Sequence, residues 1–141
     1  IIFLDHLSIL LSGLDGDERR MIDSTMTKLR SLVERTGIAL FLVSHLRRTN
    51  SDSNSHEEGG RVSLGQLRGS HSIAQLSDSV IALERDQQGE ANANLTTLRV
   101  LKNRFSGEVG VATTLSYDLS TCQFYETKSE DTVEFNPATD F

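Results

Sequence analysis

The sequence predicts an α/β fold built on a parallel sheet, and three observations support it. Two short uninterrupted apolar runs, Ile1-Ile2-Phe3-Leu4 and Ile38-Ala39-Leu40-Phe41-Leu42-Val43, flank one amphipathic segment. Runs without alternation mark strands buried on both faces. Strand, helix, strand in that order is a βαβ unit, whose two strands lie parallel. Each run also ends at a polar residue, Asp5 in the first and Ser44-His45 in the second. Ligands of open α/β sheets bind at the carboxyl ends of the strands, so Asp5 and His45 are expected near one sheet edge.

The remaining elements follow in chain order. Gly13 to Gly16 reads as a loop, and Asp15 followed by Glu18 resembles a capping box. The helix is expected from about Asp17 to Arg35, with Met21, Ile22, Met26, Leu29, Leu32 and Val33 on its apolar face. Gly37 suits the left-handed position past a helix end. Residues 46–62 are rich in Ser, Asn, Asp, Glu and Gly and read as a long mobile loop. Leu64 to Leu76 reads as a short helical or turn segment around Arg68-Gly69-Ser70. Ser79 to Leu83 is a third strand, Asp86 to Asn94 a turn, and Leu95 to Lys102 a fourth strand. Val111–Tyr117 and Cys122–Tyr125 form a β-hairpin joined around Asp118-Leu119-Ser120-Thr121. Thr127 onward is acidic and aperiodic, holds Pro137, and is expected to be a disordered tail.

Composition narrows the function classes. The chain has 141 residues, single-domain size, and 37% of them are hydrophobic. No run of 18 apolar residues is present, so no membrane span and no membrane partner are expected. Cys122 is alone, which leaves no intramolecular disulfide and fits a reducing compartment. A net charge of −6 argues against a broad basic surface but still permits arginines focused on one loop. The chain begins at Ile1, inside an apolar run, and reads as a piece of a longer domain.

Several residues carry candidate chemistry, each with a bland alternative. Asp5 after four apolar residues is the Walker B pattern, a carboxylate holding the hydration shell of Mg²⁺ on a nucleoside triphosphate. It is equally a turn or helix-cap residue. His45 at the next strand end suits hydrogen bonding to a γ-phosphate, or is a surface histidine at a loop mouth. Lys102 and Arg104 stand two apart after the fourth strand and so share a face. They read as an arginine finger with a companion cation, or as a solvated basic turn. Tyr117 stacks on a base or covers the hairpin. Arg47, Arg48 and Arg61 lie in a polar loop that either follows a single-strand backbone or is plain surface. The histidines show no zinc-site spacing.

The order of these signals carries more than any one of them. The segments LDHLS, DERRMID, MTKLR, VSHLR, HEEGG, LRGS, QLSDSVIALERDQQG and LKNRFSGEVG resemble the helicase half of the bifunctional primase–helicases of T-seven-type podoviruses. That family is related to the bacterial and mitochondrial replicative ring helicases. The resemblance covers nearly all of 1–126. It implies a partial RecA-like helicase domain over 1–126, the C-terminal part of a parallel-sheet NTPase core without its P-loop strand. A C-terminal β-hairpin and the acidic tail at 127–141 complete the chain.

Roles are implied by the same resemblance. Asp5 matches the Walker B aspartate, which holds Mg²⁺ through water, and His45 the γ-phosphate-sensing histidine. Arg104 matches the finger that a neighbouring subunit inserts, with Lys102 beside it. Arg85 and Tyr117 match the pair that sandwiches the base, and Gln75 a glutamine near the nucleotide and DNA sites. Arg47 and Arg48 fall in a central-channel DNA-binding loop. The acidic tail ending in Phe141 is similar to a tail that docks on the replicative DNA polymerase. The implied substrate is ATP or dTTP with Mg²⁺, and the implied partners are single-stranded DNA and further copies in a ring, a hexamer. The implied location is the cytoplasm of the host cell, and the implied activity is 5′-to-3′ translocation with duplex unwinding.

Two departures stand out. Ser51 and Ser53 occupy positions where lysines are expected in the second DNA loop. The Gly-Lys-Ser/Thr loop, the upstream catalytic glutamate and the primase region lie outside this sequence, so the chain alone is expected not to hydrolyse nucleotide. Rival readings are a RecA-like recombinase or other hexameric ATPase, and a non-enzymatic module that offers its tail to a polymerase.

Overall fold

The computed structural model describes residues 1–13, 15–47, 55–69, 71–89 and 93–127. Arg48, Ser51, Ser53, most of the acidic tail and Phe141 lie outside the described residues.

The first apolar run forms β1 (Ile2–Leu4) and the second forms β2 (Leu40–Leu42). They pair in parallel with Leu4 opposite Leu42, as the βαβ order predicts. Between them lie α1 (Leu7–Leu11), which periodicity did not reveal, and α2 (Glu18–Thr36). The α2 cap is Asp17, not Asp15: the Asp17 carboxylate accepts the Arg20 N–H at 3.0 Å. It satisfies one of the orphan donors of the first turn. Gly37 ends α2 in the left-handed region at φ 67°, as expected.

The apolar stripe of α2 turns Ile22 and Met26 into a core with Leu7, Leu11, Leu67 and Ile73. Burying each such side chain contributes roughly 1.5–3 kcal/mol. Leu42, Leu46, Leu76 and Val80 pack around this cluster. Gly69 meets it from a left-handed conformation at φ +102°, and a Cβ there would collide with the Ile22 side chain. Gly69→Ala is therefore expected to cost about 2 kcal/mol, from overpacking and backbone strain together. A urea denaturation midpoint unchanged by that substitution would contradict the close approach.

The segment 64–76 resolves into a 3₁₀ turn (Leu64–Gln66) and α3 (Ser72–Leu76). The Ser63 hydroxyl and the Gln66 amide close a capping box around that turn. β3 (Ser79–Glu84), β4 (Leu95–Asn103), β5 (Gly110–Asp118) and β6 (Gln123–Thr127) form a sheet in sequence order. The parallel sheet expected of the core does not extend to these four strands, among which every pairing is antiparallel. The physical reason is connection length. The links between them are too short to hold the crossover that a parallel pair requires. Among the described residues only β1 and β2 form a parallel pair, in a separate two-stranded sheet.

The predicted hairpin is β5–β6. Cys122 lies in its turn with φ 55° rather than in a strand, and Thr127 closes β6 rather than opening the tail. The Thr127 hydroxyl donates to the Thr114 carbonyl at 2.9 Å. No described helix is long and apolar enough to cross a membrane.

Candidate functional site

Parallel pairing of β1 with β2 brings their carboxyl ends together. The ladder continues past the strands: Val43 N–H donates to Leu4 O at 2.9 Å, and Leu7 N–H donates to Val43 O at 2.9 Å. Asp5 and His6 therefore sit beside Ser44 and His45, as the order of runs predicted. Asp5 and His45 are both exposed. The His6 and His45 rings meet edge to face with centroids 4.2 Å apart. Sequence reasoning singled out only one of those histidines. The other was visible as the neighbour of Asp5, but nothing in spacing revealed the ring contact. His6 Nδ1 is buried without a hydrogen-bond partner.

The backbone after His45 is laced to the 3₁₀ turn region. Arg68 N–H donates to His45 O at 3.0 Å, and Arg47 N–H donates to Gln66 O at 2.8 Å. A His56 ring nitrogen also lies 3.1 Å from Arg47 O. Arg47 itself is exposed. The start of the long polar loop is thus anchored, and its end is anchored too. Val62 N–H donates to the buried Glu84 carboxylate at 2.8 Å, and Arg99 Nε donates to the same group at 2.8 and 3.0 Å. Burial alone would raise the Glu84 carboxyl, but the Arg99 guanidinium and the Val62 N–H hold it below the ordinary range. The 55–62 segment is therefore fastened to the sheet at Glu84, in contrast to the mobile loop expected there.

A second group gathers at one end of the antiparallel sheet. Lys102 Nζ donates to three carbonyls at the end of α3, those of Ala74 (2.6 Å), Gln75 (3.1 Å) and Ser77 (2.8 Å). Such a cation satisfies carbonyls that a helix terminus leaves open. Arg104 Nη2 donates to the same Gln75 carbonyl at 2.8 Å, and Arg104 Nη1 pairs with Asp78 Oδ1 at 3.2 Å. Both cations therefore lie on one face, as their spacing predicted. All three Lys102 donors are taken within its own chain, whereas the Arg104 side chain remains 42% exposed.

A third group lies at the other end of the same sheet. Arg85 Nε donates to Ala93 O, and Tyr117 N–H donates to Asn94 O at 2.9 Å. One turn thus holds Arg85 and Tyr117 together. Tyr117 is half-buried and its ring tilts against Phe124 at 4.9 Å. The nine residues of β4 separate this group from Lys102 and Arg104, roughly 27 Å at about 3.4 Å per residue.

Among the described residues no group of three or more His, Cys, Asp or Glu could hold a metal ion. Asp5, an exposed carboxylate at a strand end, fits a role toward Mg²⁺ through water, with the remaining ligands coming from phosphates and solvent.

Two comparisons relate the chain to known proteins. Residues 1–126 match the family described as DnaB-like helicase C terminal domain. A DNA helicase/primase of Enterobacteria phage T3 is 46% identical over 122 residues, which is 86% of this chain and 21% of that relative. The chain spans about a fifth of the length of the curated relative it matches.

Proposed function

Because the chain belongs to the DnaB-like helicase C-terminal domain family, we propose that it is part of the motor of a replicative ring helicase. The intact protein couples nucleoside triphosphate hydrolysis to 5′-to-3′ movement on single-stranded DNA and to duplex unwinding. The observation that carries this reading is the meeting of Asp5 and His45 at the carboxyl edge of paired parallel strands. A triphosphate set against that edge meets a carboxylate suited to the hydration shell of Mg²⁺ and an imidazole able to hydrogen-bond the γ-phosphate. Mg²⁺, when bound, neutralises charge on the phosphate oxygens.

The separation of the other two groups supports a site shared between subunits. Arg85 and Tyr117 hold the base, and Arg104 stabilises charge on the transferring phosphoryl group. A nucleoside triphosphate is much shorter than the β4 strand between them. Both groups of one chain therefore cannot serve one nucleotide, and Arg104 acts on the nucleotide of the next protomer. A closed ring, a hexamer, repeats that contact. Lys102 fixes the backbone beside the finger, and Gln75 sits on the short helix which that backbone ends. Arg47 and Arg48 bind DNA, and the acidic tail with Phe141 engages a polymerase. The setting is the cytoplasm of an infected host cell, and the nucleotide is ATP or dTTP.

Complementation tests the shared site. Asp5→Asn and Arg104→Ala versions of the full-length protein are each expected to lose DNA-stimulated hydrolysis. Mixed and reassembled at equal amounts, they regain about one intact interface in four if assembly is random. Hydrolysis should return accordingly. A mixture as inactive as its components would sink the shared-site reading.

A further inference from the structure

The finger arginine is not free in its own chain. Arg104 Nη1 lies 3.2 Å from Asp78 Oδ1, and the Arg104 backbone N–H donates to Asp78 O at 2.8 Å. The second carboxylate oxygen of Asp78 accepts Arg30 Nη1 at 2.7 Å, and Arg30 Nε donates to Glu34 at 2.7 Å. Asp78 thus joins helix α2, through Arg30, to the end of strand β4, through Arg104. The Gln75 carbonyl fixes the other arm of the Arg104 fork.

Stability alone does not account for this arrangement. The side chains of the Asp78–Arg104 pair are 36% and 42% exposed, and pairs that open to water contribute little to folding. What the two contacts do supply is direction. A guanidinium is a rigid planar fork, so an acceptor on each arm restricts where the remaining donors point. We propose that Asp78 is a positioning residue for Arg104, holding its guanidinium at the sheet end until phosphate oxygens of the neighbouring subunit's nucleotide compete for it. Anionic acceptors on both sides give Arg104 two alternative partners, and α2 senses the exchange through Arg30. This inference rests on the proposed shared site, and adds a residue to which the sequence assigned no role.

The test uses the full-length protein and three readouts. Asp78→Asn is expected to lower kcat of DNA-stimulated hydrolysis about tenfold while KM for nucleotide changes less than twofold. Asp78→Glu, which keeps the charge, is expected to stay within about threefold of wild type. In an Arg104→Ala background, Asp78→Asn is expected to cause no further loss, since its effect passes through the arginine. Asp78→Asn subunits mixed with Asp5→Asn subunits should recover hydrolysis as Arg104→Ala subunits do. A subunit damaged in folding would give no such recovery. A wild-type rate in Asp78→Asn, an additive loss in the double variant, or no recovery on mixing would each overturn the assignment. If Arg104→Ala and Asp5→Asn themselves fail to complement, the shared site falls. If they complement and Asp78→Asn behaves otherwise, only the role of Asp78 falls.

Discussion

Replacing Arg104 with alanine in the full-length protein is expected to lower kcat of nucleotide hydrolysis by about 10³-fold, the lower end of what an arginine finger contributes. The reason is local and electrostatic. Charge spreads over the phosphoryl oxygens in the transition state, and a preoriented cation stabilises it without reorganising. Arg104 is suited to this because one face of its fork is held by Asp78 and Gln75 while much of the side chain remains open. Lys102 is less suited, since three carbonyls occupy its ammonium group. With interfaces that act independently, titrating Arg104→Ala subunits into wild type should lower activity in proportion to the mutant fraction, because each such subunit disables the one interface it completes. An Arg104→Ala variant within tenfold of wild type would count against the finger, and failure to complement Asp5→Asn would count against its acting between subunits.

Glu84→Ala is expected to destabilise the fold by about 3 kcal/mol, read from urea denaturation. Glu84 and Arg99 are the most deeply buried ion pair described, with side chains 6% and 15% exposed. Removing the carboxylate strands the Arg99 guanidinium and leaves the Val62 N–H without its acceptor. Breaking one partner of a buried pair costs far more than the pair itself contributes. Glu84→Leu combined with Arg99→Leu should therefore recover much of the loss. A single variant within about 0.5 kcal/mol of wild type would show that water reaches the pair.

The pH dependence follows from the same contact. The Glu84 carboxyl is held below its unfolded-chain value despite burial, so the folded state favours the charged form. Its stabilising contribution is complete above the unfolded value of about 4.3 and is lost as pH falls through the lower, folded value. Glu84→Gln should flatten that acid limb of the stability profile, and a limb of unchanged slope would count against the assignment.

The two βαβ strands were legible from their unbroken apolar runs, but the burial on both faces that such runs predict is not found, since Ile2, Phe3 and Phe41 are exposed. The α2 helix was legible from its three- and four-residue spacing and from Gly37, which alone could take the left-handed exit at no steric cost. Its cap was misread by one candidate: Asp15 and Asp17 are both competent acceptors, and only backbone geometry selects between them. The antiparallel character of β3 through β6 was partly legible, since the hairpin was expected and the turn before β4 is short. The parallel pairing expected of the core holds for β1 and β2 and stops at β3, whose connection to β4 holds no crossover.

At the site, Asp5 and His45 could be placed together from sequence because a βαβ unit carries both strand ends to one edge. Arg104 and Lys102 could be placed on one face because the two-residue period of β4 carries one position past its end at Asn103. Those are local rules of period and handedness, and a chain carries them wherever it folds. The partners of these residues obey no such rule. Asp78 meets Arg30 across 48 positions, and Glu84 meets Arg99 across 15. Which acid faces which arginine depends on how helix, turn and sheet pack in three dimensions. The sequence alone therefore determined the strand ends, the helix and the face that Lys102 and Arg104 share. The tertiary structure decided what holds them, because charge pairing depends on distance through space, and separation along the chain does not set that distance.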